Sequence, residues 1–222
     1  MNQYFENIST VCVIVAHPDD ETLWAGGIIL MNPEWDCKVF TLCRASDPDR
    51  APKFYNALQQ LGASGYMADF DDGTEQIPLS ESEVRQAILD YINKNHFDLI
   101  LSHGPRGEYT RHRRHEEVSK AVLTLWHNGD LNANKIWLFA YTDDNKKHLP
   151  LPEANAHCKV PLPPSILINK QNIITEIYGF TPDSWEARTT PQVEAFWIFN
   201  SQTDSKKWIK ERMANNESLS SL

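Results

Sequence analysis

Three features that define other protein classes are missing from this sequence of 222 residues. Its four cysteines show no CxxC spacing, and Cys12 and Cys43 fall in apolar runs typical of buried strands, so we expect packing thiols rather than disulfides or a zinc knuckle. No apolar run approaches the roughly 20 residues that cross a bilayer, and the N-terminus lacks the basic and apolar regions of a signal peptide. We therefore expect a cytoplasmic protein with no membrane partner.

The sequence also lacks an excess of basic residues. It has 21 lysines and arginines against 30 aspartates and glutamates, which gives a formal net charge of −9. Binding to phosphate backbones depends on a basic surface that releases counterions, so this charge argues against nucleic acids and anionic membranes as partners. A local basic patch is still compatible with it.

What is present is the composition and patterning of a globular α/β protein. The chain is 41% hydrophobic and 23% charged, and strand-like and helix-like segments alternate along it, as in βαβ units. We therefore predict one domain over residues 1–222, with a Rossmann-like, mostly parallel sheet flanked by helices and with residues from about 205 to 222 as a peripheral tail. The sequence leaves a homo-oligomer open.

The predicted elements follow from hydrophobic period and from turn residues. We predict strands at 11–16, 38–43, 98–102 and 135–141, and helices at 21–31, 50–62, 80–92, 113–126 and 191–202. The signal weakens through the proline-rich stretch 150–164, and the tail after Met213 is expected to fray. Gly26 and Gly27, inside the first helix, indicate close packing of its backbone.

The first candidate site begins where a buried strand runs into a histidine and three carboxylates. Residues 11–16 are small or β-branched apolar residues, and His17-Pro18-Asp19-Asp20-Glu21 follows directly. Parallel strands covered on both faces present ligands and catalytic groups at their carboxyl ends, so His17, Asp19 and Asp20 are candidate metal ligands. The alternative is that the aspartates cap the helix that follows.

A second cluster follows another predicted strand. His112 and His115 are three residues apart at a helix start, so both side chains address the same side of its first turn. Two histidines with one carboxylate leave open positions on a metal ion, and zinc in such sites lowers the pKa of water to about 7. Two independent clusters at strand ends favour a metal site over a helix cap.

These residues carry a family resemblance. The hexapeptide Ala16-His17-Pro18-Asp19-Asp20-Glu21, with the small-residue helix behind it, resembles the opening motif of the LmbE/PIG-L-like N-acetylglucosaminyl deacetylases. Three further pieces occur in the order that the family has: Arg50 with Ala57 and Leu61-Gly62, the pair His112-x-x-His115, and Ser201-Gln202. The resemblance therefore spans nearly the whole chain.

The resemblance implies a zinc-dependent hydrolase that removes an N-acetyl group from an amino sugar or sugar conjugate. It implies that zinc is held by His17, Asp20 and His115. This ligand set also accepts Fe(II), Co(II) or Mn(II), so the native metal stays open. A small N-acetylated sugar or glycoconjugate is the partner that the resemblance implies.

The same resemblance implies the roles of the remaining site residues. Asp19 would be the general base, and His112 would stabilise the oxyanion or donate a proton. Arg50 resembles a substrate-contacting arginine of the family. Trp24 stands where members more often have a small residue, and it would either stack on a sugar ring or pack in the core.

The chain departs from the family between the two histidines, where many members have a Pro-Asp pair. Here Arg113 and Arg114 occupy those positions. With other arginines of this loop, Arg113 would form a positive rim that binds a carboxylated or phosphorylated substrate. The alternative is a solvated ion network with neighbouring glutamates, among them Glu108.

A further histidine and an acidic segment lie outside these motifs. His103, at the end of a predicted strand, is expected to be a hydrogen-bonded structural histidine or a partner of a metal ligand. The acidic segment with Asp69, Asp71 and Asp72 lacks the spacing of a calcium loop, so we expect a solvated turn.

Two rival functions use the same residues. His17 and Asp19 with a distant histidine would also match the facial triad of Fe(II) oxygenases, but those enzymes usually have an antiparallel double-sheet barrel. The second rival is a metal-containing module that binds a sugar without turnover. Asp19 argues against it, because binding alone needs no base.

Overall fold

The computed structural model describes residues 4–217, and it describes side chains up to residue 212. Strands and helices alternate through most of the chain. The strands are β1 Thr10–Val15, β2 Asp36–Cys43, β3 Ser64–Phe70, β4 Phe97–Ser102, β5 Ala133–Phe139, β6 Tyr141–Thr142, β7 Leu151–Pro152, β8 Cys158–Pro161 and β9 Val193–Phe199. The helices are α1 Asp20–Met31, α2 Arg50–Leu61, α3 Glu81–Ile92, α4 Arg113–Asn128, α5 Pro164–Asn172, α6 Trp185–Thr189 and α7 Gln202–Glu217, with a π-helical segment at Ile173–Ile177.

Seven strands form one sheet in the order β3-β2-β1-β4-β5-β9-β8, and β6 pairs with β7 separately. Strands β1 to β5 are parallel to their neighbours, while β9 is antiparallel to β5 and to β8. The chain winds outward from β1 to β3 and then crosses back to β4, so the strand order reverses between β1 and β4. The predicted mostly parallel α/β fold is confirmed, and this reversal is where such sheets open a crevice.

The centre of the sheet is covered on both faces. Residues 11–15 of β1 have no exposed surface, in agreement with the unbroken apolar run that predicted a buried parallel strand. Ile14 of β1 pairs with Ser102 of β4, and Val15 pairs with Thr41 of β2. The three strands therefore end at the same edge of the sheet, so the residues that follow them come together there.

The first helix is packed closely against the end of the sheet, as its two glycines indicate. The Glu194 carboxylate accepts hydrogen bonds from the backbone N–H groups of Gly27, at 2.6 Å, and Ile28, at 2.8 Å. A Cβ atom on Gly27 would lie 2.4 Å from Leu162 Cδ2 and 2.8 Å from Glu194 Oε1, so these side chains would have to move to admit a larger residue. Lys170 Nζ lies 2.6 Å from the same oxygen, and both charged side chains are fully buried.

The C-terminal part of the chain differs from the prediction at β9 and at α7. The helix predicted at 191–202 is wrong: residues 193–199 form strand β9, because this aromatic and β-branched run is buried on both faces and has no helical period. Helix α7 continues to Glu217, so the fraying expected after Met213 is not seen that far, and residues 218–222 lie outside the described residues.

Two further observations concern the absences noted in the sequence. All four cysteines are free and buried, so none of them forms a disulfide, as predicted. Within residues 4–217, no helix combines the length and the apolar character that crossing a bilayer requires.

Candidate metal centre and active site

The turn after β1 holds the first cluster. Asp19 has a φ of 121° and is the residue before α1, but its side chain makes no capping hydrogen bond within the described part of the chain. Its backbone carbonyl instead accepts from Leu23 N, at 2.8 Å, and its N–H donates to Glu21 Oε2, at 3.0 Å. The capping alternative for Asp19 is therefore not supported, and Asp19 lines the cavity described below.

Three predicted ligands converge on one point. His17 Nδ1 lies 3.1 Å from Asp20 Oδ2 and 3.2 Å from His115 Nε2, and the last two atoms are 3.4 Å apart. A tetrahedral zinc ion with bonds of about 2.0–2.1 Å separates its ligand atoms by about 3.3 Å. All three side chains are close to nine-tenths buried or more. The donor set and its spacing therefore fit one divalent metal ion.

Carboxylates on the far side of the two rings fix their orientation. Glu108 Oε2 accepts from His115 Nδ1 at 2.6 Å, and Asp72 Oδ1 accepts from His17 Nε2 at 3.1 Å. In the neutral tautomers that these contacts favour, the nitrogen that faces the convergence point carries no proton in either ring. This carboxylate–histidine arrangement is the usual support of metal-binding histidines, because it sets the ring tautomer.

His103 is a buried structural partner, which is one of the two roles predicted for it. Its Nε2 accepts a hydrogen bond from the N–H of Ala16, at 3.0 Å, and its Nδ1 donates to Glu108 Oε2, at 2.8 Å. The ring stacks on that of His115, with centroids 3.9 Å apart. His103 therefore links the end of β1 to the Glu108 carboxylate that holds His115.

The pKa values of Asp19 and Asp20, the two carboxylates beside the convergence point, are shifted in opposite directions. Burial, and then repulsion from Asp20, raises the pKa of Asp19 well above its usual range. Burial also acts to raise the pKa of Asp20, but His115 and His103 outweigh it and hold that pKa well below the usual range. Such a separation is typical of a site in which one carboxylate accepts a proton and the other stays ionised.

His112 is a neutral imidazole beside the predicted ligands. Burial, together with the nearby His115 and His17, lowers its pKa to about 3. Its ring lies 4.5 Å from that of His17, and its Nε2 is 3.3 Å from Gln76 Nε2. Its Nδ1 is buried and has no hydrogen-bond partner in the region from residue 4 to residue 217.

A cavity of about 570 Å³ opens over these residues. Five of the predicted site residues line it: His17, Asp19, Asp20, Arg50 and His112. The fully buried His115 lies behind them. The rest of the wall includes residues that the sequence did not indicate, among them Tyr109, Asp143, Lys146, His148 and Trp185.

Arg50, at the start of α2, stands on the wall beside Asp19. Its Nη1 lies 3.8 Å from Asp19 Oδ2, and its guanidinium group stacks 4.4 Å above the ring of Phe180. Nη1 is buried and makes no hydrogen bond with any described residue. Arg50 is therefore held in place, and its Nη1 is left as an unused hydrogen-bond donor.

Trp24 does not belong to the cavity wall. Its side chain has no exposed surface, and its ring packs against Tyr141 at 4.9 Å between centroids. Its Nε1 donates to Asp20 Oδ1 at 3.0 Å. The core alternative thus describes Trp24, and the sugar-stacking alternative does not, because no face of the ring is open to a ligand.

Arg113 is also outside the set of described residues that line the cavity. Its Nη1 donates to the backbone carbonyl of Gln76 at 2.6 Å. The fully buried Arg114 binds the carbonyls of Asp71 and Ile77 and the carboxylate of Glu117. Arg113 and Arg114 therefore fix the acidic loop to α4, and neither of them lines the cavity, as a positive rim would require.

Asp72 and Glu108 are site residues whose roles the sequence did not predict. Asp72 was expected in a solvated turn, but its side chain is only 9% exposed, between His17 and Arg44. Strand β3, missing from the prediction, ends at Phe70, so the rule about carboxyl ends of strands would have pointed to Asp72. Glu108 contacts two histidines rather than arginines, and no spacing in the sequence signals that.

The fold and the cluster define a class: α/β proteins with a histidine–carboxylate cluster that could hold a metal ion at the switch point of a parallel sheet. Within that class, residues 12–126, just over half of the chain, match the family model of GlcNAc-PI de-N-acetylase, PIG-L. The protein therefore belongs to this family, as the hexapeptide at its first strand end predicted.

Individual relatives are distant. An uncharacterised protein, L374, of Acanthamoeba polyphaga mimivirus is 22% identical over 145 residues, which are 58% of this chain and 60% of the viral protein. The chain thus matches less than two thirds of the length of that relative.

Solved structures share the fold over most of the chain. The N,N'-diacetylchitobiose deacetylase of Pyrococcus horikoshii has a TM-score of 0.66 and 18% identity, covering 88% of this chain and 85% of its own. A deacetylase of teicoplanin biosynthesis gives 0.64 and 15%, covering 87% and 99%. GalB, a 4-carboxy-2-hydroxymuconate hydratase of Pseudomonas putida, gives 0.58 and 14%, covering 86% and 95%. One fold therefore carries two reactions, so function must be argued from the site.

Proposed function

We propose that this protein is a metal-dependent deacetylase that hydrolyses the N-acetyl amide of an amino sugar or of a sugar conjugate. The observation that carries the proposal is the convergence of His17, Asp20 and His115 on one point beside Asp19, at the floor of a cavity. Membership of the family and the two deacetylases of known structure support the same reaction.

His17, Asp20 and His115 would hold the metal ion. When bound there, zinc supplies a Lewis acid that polarises an amide carbonyl and acidifies water. The set of two nitrogens and one oxygen accepts Zn²⁺, and also Fe²⁺ or Co²⁺, so the choice depends partly on availability. Glu108 and Asp72 keep the two rings in the orientation that the ion needs.

Asp19 would be the general base. Its raised pKa means that it accepts a proton more readily than an ordinary aspartate and can return it to the leaving amine. The Glu21 carboxylate holds its backbone N–H, and Glu21 is itself held by Tyr178 at 2.7 Å. Asp19 is therefore fixed at the edge of the cavity before substrate arrives.

His112 would stabilise the tetrahedral oxyanion. Its imidazole is neutral, and its buried Nδ1 has no hydrogen-bond partner among the described residues. Donating from Nδ1 to the oxyanion therefore costs little free energy, because no existing hydrogen bond has to break. Arg50, beside Asp19, would bind a hydroxyl or carbonyl of the substrate through its spare donor.

The cavity suits a sugar-sized substrate. Its volume of about 570 Å³ is in the range of small-molecule sites. Its wall mixes aromatic rings, Tyr109 and Trp185, with acidic and basic side chains, and this mixture suits the apolar faces and the hydroxyl groups of a pyranose. We propose no selection for anionic substrates by Arg113, because its side chain does not line the cavity and its Nη1 donates to Gln76.

Hydration of a double bond is the second candidate function, because GalB, a hydratase, has a similar fold. The metal ion and the base proposed here would also serve to add water to a double bond. The parallel sheet is unlike the barrel usual for Fe(II) oxygenases, so that rival is set aside. A binding module without turnover is the third outcome of the following test.

The test is the release of free amine from a panel of N-acetylated amino sugars and their glycosides by zinc-loaded protein. We expect wild type to release amine and acetate, and Asp19→Asn to bind one metal ion but to lose at least about 10²-fold in turnover. Asp49→Asn, at an exposed position paired with Lys53, is the matched control.

Each rival predicts a different result. Hydration of a double bond releases no amine, and a binding module would hold sugars while neither protein turned them over. If Asp19→Asn retained full amidase activity, the assignment of the base would be wrong.

A further inference from the structure

A second group of donor atoms lies on the other side of His17. A ring nitrogen of His17, the thiol of Cys43 and a carboxylate oxygen of Asp72 all lie within 4.8 Å of one another. Since His17 Nδ1 faces Asp20 and His115, the ring nitrogen on this side is Nε2, which is 3.1 Å from Asp72 Oδ1.

The topology of the sheet creates this group separately from the first one. The first group combines residues that follow β1 and β4. The second combines His17 after β1, Cys43 at the end of β2, and Asp72 just after β3. These three strands are neighbours in the sheet, so their carboxyl ends bring the residues together.

Cys43 is the member of the group whose side chain has no structural partner. The side chain is fully buried, and its free thiol makes no hydrogen bond within the portion of the chain that is described. Packing alone is the alternative role, and it suffices for Cys37 on the same strand, which belongs to none of the donor groups among the described residues. The position of Cys43 beside an imidazole and a carboxylate is what distinguishes it.

Asp72 is already oriented as a ligand would be. Arg44 binds its Oδ2 through Nη2, at 2.6 Å, and through Nε, at 2.9 Å. Oδ1 is thereby left on the side of His17. A guanidinium group on one oxygen fixes the direction of the other, in the way that supporting hydrogen bonds orient carboxylate ligands of metals.

We propose that His17 Nε2, Cys43 Sγ and Asp72 Oδ1 form a second metal site, which binds thiophilic divalent ions and inhibits the protein. A thiolate ligand favours Cd²⁺ or excess Zn²⁺ over Mg²⁺ and Mn²⁺. Binding forms bonds from the ion to sulfur, nitrogen and oxygen, and the thiol proton of Cys43 passes to solvent. The ring proton of His17 moves from Nε2 to Nδ1.

Inhibition follows because the two sites share one imidazole. A neutral ring offers a lone pair on only one of its two nitrogens, so an ion on Nε2 takes His17 from the first site. This consequence rests on the proposed hydrolase activity. Binding of the ion at the second site does not rest on it.

The binding test is a titration of the wild-type protein with Cd²⁺, followed by ultraviolet absorption. We expect a sulfur-to-cadmium charge-transfer band that rises with bound Cd²⁺, and no band with Mg²⁺ or Mn²⁺. Cys43→Ala should abolish the band, whereas Cys37→Ala, which removes a buried thiol of the same strand, should keep it. A wild-type protein that binds Cd²⁺ without the band would overturn the proposal, whatever its enzymatic activity and however the variants fold.

The second test is inhibition of amide hydrolysis. Cys43→Ala should raise the Cd²⁺ concentration for half inhibition by at least about tenfold, the lower end of the cost of losing a residue that supports a metal site. Cys37→Ala should be inhibited like wild type. Equal sensitivity of Cys43→Ala and wild type would refute the inhibitory role, and a band without any amidase activity would refute the proposed function alone.

Discussion

Glu108 is the residue on which the most site geometry depends. Its Oε2 accepts from His115 at 2.6 Å and from His103 at 2.8 Å, while its Oε1 accepts from Gly104 N at 3.0 Å. The two histidines, despite the burial of Glu108, lower its pKa to about 2, so it is a carboxylate at all working pH values. One side chain therefore sets the tautomers of both rings.

Replacing Glu108 should weaken metal binding without removing a ligand. In Glu108→Gln the amide oxygen accepts at most part of this network, so we expect the affinity for Zn²⁺ to fall about 10–100-fold. Competition with a chromophoric chelator measures it. Glu116→Gln, which removes the partner of Arg111 at the surface, is the control and should bind zinc like wild type. Equal affinities for both variants would refute the positioning role.

The candidate metal ligands could be predicted from individual residues, but the residues that form hydrogen bonds to them could not. His17, Asp20 and His115 follow from two motifs and from the position of strand ends. The hydrogen bond from Trp24 to Asp20, and those from the histidines to Glu108 and Asp72, depend on the packed arrangement of several elements. No local pattern encodes such contacts, so the sequence left two roles open for Trp24 and predicted the wrong one for Asp72.

Among the elements, β1 and β4 are fastened together at their amino ends by Asp98. Its Oδ2 accepts hydrogen bonds from the backbone N–H groups of Ser9, at 3.0 Å, and Thr10, at 2.9 Å, and from both hydroxyls. Burial acts to raise its pKa, but these bonds outweigh burial and hold the pKa well below its ordinary value of 3.8.

The sign of the resulting pH dependence follows from that depressed pKa. The contribution of Asp98 to stability is complete above pH 3.8 and is lost as the pH falls from there toward the folded-state pKa. In Asp98→Asn the loss of free energy of unfolding on acidification should be smaller than in wild type. Urea unfolding at several pH values from neutral to about 3 tests this, and parallel curves for the two proteins would contradict it.

Helix α5 and strand β9 are joined by a buried ion pair. Lys170 and Glu194 are both fully buried, and Glu194 also binds the backbone of α1. Removing one partner of such a pair leaves an uncompensated charge, so Lys170→Met should cost about 3–5 kcal/mol in the free energy of unfolding. Lys159→Met, at an exposed position of β8, is the control for denaturant unfolding. A cost under about 1 kcal/mol would show that the carboxylate finds another partner.

Strand β9 also shows where prediction of elements from the sequence fails. Hydrophobic period and turn residues predicted α1, α2, α3 and α4, and short apolar runs predicted β1, β2, β4 and β5. These patterns did not predict β3, an edge strand with several exposed residues, and they predicted a helix in place of β9. Edge strands carry weak patterns, and runs buried on both faces carry no period, so tertiary context decides both.

For the whole molecule, the order of strands places the chemistry. The sheet winds outward in both directions from β1 and β4, so the segments that follow these two strands diverge and leave a crevice. The first metal group occupies this crevice, and both histidine motifs reach it from different halves of the chain. A metal ion held by this group would therefore bind the folded sheet in preference to the unfolded chain.

This dependence predicts that the metal stabilises the whole fold. An ion bound only by the native state at a hundredfold excess over its Kd adds about 2.7 kcal/mol, which raises Tm by roughly 5–10 °C for a chain of this size. Zinc-loaded and chelator-treated wild type should differ by this amount in thermal unfolding.

Two variants separate a ligand from the base. Asp19→Asn should keep the difference between the zinc-loaded and the chelator-treated protein, because Asp19 is outside the ligand triangle. His115→Ala should abolish most of it, because two ligands remain and the buried Glu108 loses a partner. If His115→Ala retained the full shift while Asp19→Asn lost it, the metal would be held by Asp19, and the roles of ligand and base would have to be exchanged.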